Sequence, residues 1–385
     1  MMERHMSKRV AIECRALVGP RAGNGRYLYR LLEEFADRKD DVIYYLYAPR
    51  PIDIPEVCLV DPRFVVRMGH FRQALLWLHA VVPVWIAQDR IDVFFGPNYA
   101  APLLRFHDYR SVITIHDVVY ARFPETMLLK TLLHNQFMIP LYSRDADLLL
   151  TDSNFSAQEM MKVIGVEQDK LSVVHLAGNN HASMRTTESS VEVEWPESIV
   201  RTRVKGSYIL TVGTIEPRKN IESIVVAYAM LPPKLRETYS IVIVGRTLWG
   251  GLTPQQWFED YGIKGHAFYF DDVNDEELLG IFSEASLFVF ASLYEGFGLP
   301  IVEAMSCGVP VICSYTSSLA EVAGGAALLC DPRSPQDLST KIGLVLQDAR
   351  LRDTLAALGT RRVTDLTWAR TAEATLQCIL GEERE

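Results

Sequence analysis

Short apolar runs alternate with longer amphipathic ones along this chain, the pattern of βαβ units and a parallel sheet. In the first half, Arg9–Cys14, Val42–Tyr47, Val93–Phe95, Ser111–Ile115, Asp147–Thr151 and Leu171–Val174 predict strands. Helices are expected between them, for example over Arg26–Ala36 and Phe155–Ile164. The rhythm lapses near residues 181–205, which are polar and aperiodic and read as a linker or exposed loop.

It then restarts. Tyr208–Val212, Ser240–Val244, Ala267–Phe270, Leu287–Phe290, Val309–Cys313 and Ala327–Leu329 are apolar without alternation, as strands covered on both faces should be. Helices are predicted at Ile221–Met230, Asp275–Ala285, Pro300–Cys307, Leu319–Val322, Pro335–Leu346, Ala349–Leu358 and Ala369–Leu380. The expected fold class is α/β, with two doubly wound parallel-sheet domains over residues 1–185 and 206–368, joined by a linker at 186–205. Ligands of such sheets bind outside the carboxyl ends of the strands, so a cleft between the domains is the expected site.

Composition narrows the function. The 385 residues suggest two or three domains at roughly 150 residues each. A formal net charge of −9 argues against a nucleic-acid partner. The six cysteines form no C-x-x-C pair, so neither zinc nor a redox dithiol is expected, and a reducing compartment is. No signal peptide is evident. The longest apolar stretch, Leu75–Ala87, has 13 residues and is interrupted by His79 and Pro83; a bilayer span needs roughly 20. The expected location is cytoplasmic.

Four segments carry candidate chemistry. In F-A-S-L-Y-E-G-F-G-L-P-I-V-E-A-M-S-C-G, a strand runs into a loop with Glu295, Gly296 and Gly298, and Pro300 then opens a helix. Gly308 is placed as its left-handed cap. Free N–H groups at such a helix start attract an anion. Glu295 and Glu303 beside that anion suit sugar and ribose hydroxyls flanking a diphosphate; the plain alternative for Glu303 is an acidic residue favoured near a helix start. In T-V-G-T-I-E-P-R-K-N, a strand ends at Val212, Gly213 opens a loop, Arg218 and Lys219 stand together, and Asn220 can cap the next helix. Adjacent cations suit a diphosphate; a solvated basic loop is the alternative.

In V-G-P-R-A-G-N-G-R-Y, Gly19, Gly23, Asn24 and Gly25 precede a helix from about Arg26, but the spacing is not that of a dinucleotide fingerprint. In S-V-I-T-I-H-D-V, His116 and Asp117 sit just past a strand, where a His beside a carboxylate can share protons with a hydroxyl or serve only structure. Asp145–Ala146–Asp147 mimics a D-x-D metal motif but sits at a strand start. Ser318 with Glu321 reads as a capping box and no more. Neither a P-loop motif nor G-x-S-x-G occurs.

In order and spacing, these motifs resemble the retaining glycosyltransferases of family 4, which have the GT-B fold of two Rossmann-like domains. The E-x7-E pair, Glu295 and Glu303, and V-G-T-I-E-P-R-K-N carry the resemblance, and the ending at Trp368 resembles the family's closing helix, about 369–385, which returns to the first domain. The resemblance implies a nucleotide-sugar donor bound by the second domain, a saccharide or lipid-linked acceptor bound by the first, and no metal or other cofactor. It implies Glu303 on the ribose, Glu295 on the hexose, main-chain groups of Phe297, Gly298 and Leu299 on hexose or phosphate, and Arg218 and Lys219 on the diphosphate. Gly23, Asn24 and Gly25 would approach the phosphates, His116 the transferred sugar, and Val273 the base. Many members carry arginine directly after the strand-end glycine; here that position is Thr214, and Arg218 stands in for the missing cation.

By family frequency the donor is GDP-mannose, with UDP-sugars second, and polysaccharide or lipopolysaccharide synthesis the setting. The apolar stretch Ala121–Tyr142, with Arg122, Lys130 and His134, is a candidate membrane face or else a buried helix pair. A nucleotide-sugar epimerase of the same fold and a non-catalytic nucleotide-sugar-binding protein are the rival functions.

Overall fold

The computed structural model describes residues 7–19, 23–178, 204, 206–247 and 253–382. It forms two compact units, Met1–Leu176 with Trp368–Glu385, and Ala177–Thr367. The expected linker at 186–205 falls outside the described residues, save Val204.

The first unit holds a sheet of seven parallel strands: β1 (Lys8–Glu13), β2 (Val42–Ala48), β3 (Phe64–Met68), β4 (Val93–Gly96), β5 (Arg110–Thr114), β6 (Leu148–Thr151) and β7 (Leu171–Val173). Their order is β3-β2-β1-β4-β5-β6-β7, so the winding reverses between β1 and β4. In the second unit β8 (Ser207–Val212), β9 (Tyr239–Val244), β10 (Ala267–Phe270), β11 (Leu287–Phe290), β12 (Val311–Ser314) and β13 (Leu328–Cys330) are ordered β10-β9-β8-β11-β12-β13, and the reversal lies between β8 and β11. In open α/β sheets a ligand binds beyond the strand ends at such a reversal.

The longer helices of the first unit are α1 (Gly23–Asp37), α2 (Val82–Asp89), α3 (Leu129–Asp145) and α4 (Asn154–Ile164). Those of the second are α5 (Ile221–Ala229), α6 (Pro254–Asp260), α7 (Asp275–Glu284), α8 (Leu299–Ser306), α10 (Pro335–Gln347) and α11 (Ala349–Val363), with the short α9 (Leu319–Ala323) between α8 and α10. α12 (Trp368–Leu380) belongs again to the first unit.

Helical periodicity explains α1: Tyr27, Leu28, Leu31, Leu32 and Phe35 fall on one face and are buried. Burying each such large apolar side chain contributes about 1.5–3 kcal/mol. α12 packs beside α1, with the Trp368 ring centroid 6.4 Å from that of Tyr27 and the Thr371 hydroxyl donating to the His175 carbonyl at 2.8 Å.

Strand β3 was not predicted. It is an edge strand whose pattern is mixed, with only Phe64 buried. α1 begins at Gly23 rather than Arg26, so Gly23, Asn24 and Gly25 form its first turn and not a loop before it. The Gly308 cap is as expected, with φ of 72°.

Candidate active site

The second unit gathers a cluster of four charged residues at the β8–β11 reversal. β8 and β9 run on side by side past their ends: the Gly213 N–H donates to the Val244 carbonyl, and that of Ile215 to the Arg246 carbonyl, both at 2.9 Å. A Cβ at Gly245 would lie 1.9 Å from the Gly213 carbonyl oxygen, so only glycine permits this approach. The chain then turns through Glu216, Pro217, Arg218 and Lys219.

That turn is tied to the loop after β11. The Leu293 N–H donates to the Arg218 carbonyl at 2.9 Å, and the Arg218 Nη1 donates to the Tyr294 carbonyl at 2.7 Å. Asn220 does not cap α5 as expected. It is in the left-handed region at φ 56°, and its side-chain amide donates instead to the carbonyls of Ala291 and Pro332, at 3.0 and 2.7 Å.

These ties bring four charges together. Lys219 Nζ lies 2.6 Å from one Glu295 carboxylate oxygen and Arg218 Nη1 lies 3.0 Å from the other. Arg218 Nη2 also donates to Glu216 at 2.5 Å. Burial alone would push the Glu295 carboxyl up. The Lys219 and Arg218 charges outweigh it and hold the group at about 2, so Glu295 is ionised at neutral pH. Removing one partner from such a buried cluster costs about 3–5 kcal/mol. Gly213 flanks the Lys219 stem, and Lys219 Nζ also sits 5.3 Å from the centre of the Phe290 ring.

Gly298 precedes α8 at φ 107°, and a Cβ there would meet Leu319 at 2.5 Å. Its conformation turns the main chain of Phe297, Gly298 and Leu299 into the helix start. Phe297 is buried, Leu299 half-buried, and Glu303 half-buried one turn further on. Val273 is half-buried in the loop between β10 and α7.

Three hydroxyls hold the glycine loop, two of them unmarked in the sequence and the third, Ser318, read there as a helix cap. Ser314 donates to the Ser292 carbonyl at 2.7 Å and Thr316 to the Leu293 carbonyl at 3.3 Å, and Ser318 shares its one proton between the carbonyls of Phe297 at 2.8 Å and Glu295 at 3.0 Å. Ser318 therefore makes no capping box; its side chain caps no helix N–H. The alternation S-x-T-x-S at 314–318, directly after a strand, was the available signal.

In the first unit, His116 lies just past β5 and is 6% exposed. Its carboxylate partner is Asp152, not the adjacent Asp117: Nδ1 sits 2.8 Å from Asp152, and Nε2 3.1 Å from the Pro97 carbonyl. Asp117 instead accepts from the Val119 N–H at 3.0 Å. Both partners of the ring are acceptors only, so an imidazolium satisfies both. Burial pushes its pKa down, but the Asp152 charge and hydrogen bond, with Asp117, raise it overall. The ring thus has no nitrogen left to share with a substrate hydroxyl. Asn24 donates to the Asn98 side chain at 2.7 Å. Asp145 pairs with Arg105 and Asp147 accepts from the Ser111 N–H, and among the described residues no group of side chains could hold a metal ion.

Family models match both halves: "Glycosyltransferase Family 4" over residues 22–177 and "Glycosyl transferases group 1" over 197–362. The O-antigen chain mannosyltransferase B of Escherichia coli is 31% identical over 370 residues, covering 93% of this chain and 95% of that one.

The chain is a family 4 glycosyltransferase.

The O-antigen chain mannosyltransferase RfbU of Salmonella typhimurium is 27% identical and shares 67% of each chain. Among solved structures, WaaG, a glycosyltransferase involved in lipopolysaccharide biosynthesis, superposes with a TM-score of 0.71 at 18% identity, covering 97% of this chain and all of that one. Anabaena Alr3699/HepE in complex with UDP gives 0.68 at 17% identity, covering 98% of this chain and all of that one. These neighbours establish the GT-B fold. As a family 4 member, the enzyme uses a nucleotide-sugar as substrate, transfers its glycosyl group to a glycan acceptor, and works without a metal ion.

Proposed function

We propose that this glycosyltransferase moves mannose from GDP-mannose to the saccharide end of a lipid-linked acceptor, as one step in building a surface polysaccharide. The mannosyltransferase names of its relatives support the sugar. The observation that carries the chemical assignment is the ionised Glu295 held between Arg218 and Lys219 at the strand reversal.

In this reading Arg218, Lys219 and the α8 N-terminus stabilise the departing diphosphate, Glu303 binds the ribose and Val273 borders the base. Glu295 accepts hydrogen bonds from hexose hydroxyls. Gly213 gives the diphosphate room beside Lys219, and Phe297, Gly298 and Leu299 offer main-chain N–H groups. From the first unit, Gly23, Asn24, Gly25 and His116 contribute substrate contacts, His116 not through its ring nitrogens, which Asp152 and the Pro97 carbonyl occupy. The bond from the anomeric carbon to the phosphate oxygen breaks, and the acceptor oxygen bonds that carbon on the same face. The acceptor's proton passes to the leaving phosphate, so no side-chain base is required.

A lipid-linked acceptor implies contact with the cytoplasmic face of a membrane. No helix among the described residues is long and apolar enough to cross one. Support comes from α3, where Leu129, Leu133, Phe137 and Leu141 recur every fourth residue and are exposed, Leu129 at 70% and Phe137 at 72%. α3 also carries Lys130 and Arg144, while its last residue, Asp145, pairs with Arg105 and the neighbouring Arg122 is held by Glu159.

The test is a panel of nucleotide-sugars scored by thermal stabilisation and by transfer. GDP-mannose should stabilise the protein by about 2.7 kcal/mol at 100 times its dissociation constant. Stabilisation and transfer with a UDP-sugar alone would replace the donor, and epimerisation without acceptor would replace the reaction.

A further inference from the structure

Glu216 has no part in the roles above, yet it makes one of the shortest contacts near the site, 2.5 Å from Arg218 Nη2. Arg218 is thereby held between two carboxylates, Glu216 on one side and Glu295 on the other. With Lys219 the four side chains sum to zero charge. All are poorly solvated, with side-chain exposures of 16% for Arg218, 14% for Lys219, 12% for Glu216 and 10% for Glu295. At that burial a unit charge reaches its neighbours with little screening.

Glu295 is needed against the sugar, whereas Glu216 has a neighbouring space of its own. It lines a cavity of about 310 Å³ together with Asn220, Glu222 and Trp257. A space of that size holds several waters, each needing roughly 30 Å³. A Glu216 carboxylate displaced from Arg218 could turn into that cavity and be hydrated there.

We propose that Glu216 is a positioning residue that competes with the nucleotide's diphosphate for Arg218, and so keeps the enzyme's hold on the nucleoside diphosphate product weak enough for release. The inference rests on the assignment of Arg218 and Lys219 to the diphosphate. Its consequence is the reverse of ordinary damage to a site. Removing the Glu216 charge gives the cluster a net charge of +1, and the product should bind more tightly while turnover slows.

The experiment measures GDP and UDP affinity by calorimetry, together with steady-state transfer, for wild type, Glu216→Gln, Glu216→Asp and Lys219→Ala. Glu216→Gln should tighten nucleoside diphosphate binding about tenfold, the order expected of one unit charge roughly 10 Å away at an effective dielectric of about 20. Its kcat and donor KM should fall together. Glu216→Asp keeps the charge and should stay within about threefold of wild type. Weaker or unchanged binding in Glu216→Gln, with Lys219→Ala still weakened, overturns the Glu216 role alone. Unchanged binding in Lys219→Ala removes the diphosphate assignment, and the Glu216 role with it. A generally loosened turn cannot raise affinity, so a gain separates the proposed role from a structural one.

Discussion

The hydroxyl of Ser318 reaches across 23 residues of chain to the main-chain carbonyl of Glu295, at 3.0 Å. Lys219 and Arg218 grip the carboxylate of that residue while Ser318 holds its backbone. Main chain and side chain of Glu295 are therefore fixed independently, as a group that must meet a substrate within a fraction of an ångström should be.

Ser318→Ala leaves two buried carbonyls without this hydroxyl, at a cost of about 1–3 kcal/mol. The melting temperature should drop by a few degrees and kcat by about tenfold. A variant that loses stability but keeps full kcat would show that Ser318 serves the fold alone.

Glu295→Gln keeps the shape and removes the charge. Transfer should fall at least 100-fold, the scale of losing a preorganised electrostatic contact, with the protein still folded by circular dichroism. The carboxyl's folded pKa of about 2 lies below its ordinary 4.5, so its stabilisation is present above pH 4.5 and fades as the pH falls toward 2. Acid should consequently destabilise wild type more than the variant across that window. Equal losses in both would contradict the ion cluster.

The His116 imidazole should titrate above its ordinary value near 6.5. Because its folded pKa is raised, its contribution to stability is full below about pH 6.5 and fades as the pH rises through the folded value. Asp152→Asn should lower that pKa, as followed by the ring carbon shift in NMR. An unmoved resonance would mean Asp152 is not the controlling partner.

Binding to anionic vesicles should be lost when Leu133 and Phe137 both become Ser. It should also weaken with salt if Lys130 and Arg144 take part. Retained binding by the double variant would dismiss α3 as the membrane face.

The sheets were legible because their strands are covered on both faces and read as unbroken apolar runs. Phe64–Met68 was not, since an edge strand with one buried residue carries no such run. α3 blurred for a related reason: leucines on its outward face fill in the polar half of the helical period. At the site, Glu295, Arg218 and Lys219 stood out because glycines and a helix-start proline mark their loops. Asp152 did not, because it lies 36 residues from His116 while Asp117 lies beside it. Ser318 was hidden by a good local explanation, its capping signature with Glu321.

The closing helix has a consequence for how the chain is assembled. Residues 368–385 return to the first unit after the second has been completed. The second unit is thus a guest inserted into an interrupted host. During synthesis the guest can finish folding while the host still lacks the helix that covers α1. Loss of the carboxyl-terminal segment would therefore strike the opposite half of the molecule from the one that precedes it in sequence. Excising the guest would call for two cuts, near Leu176 and near Thr367.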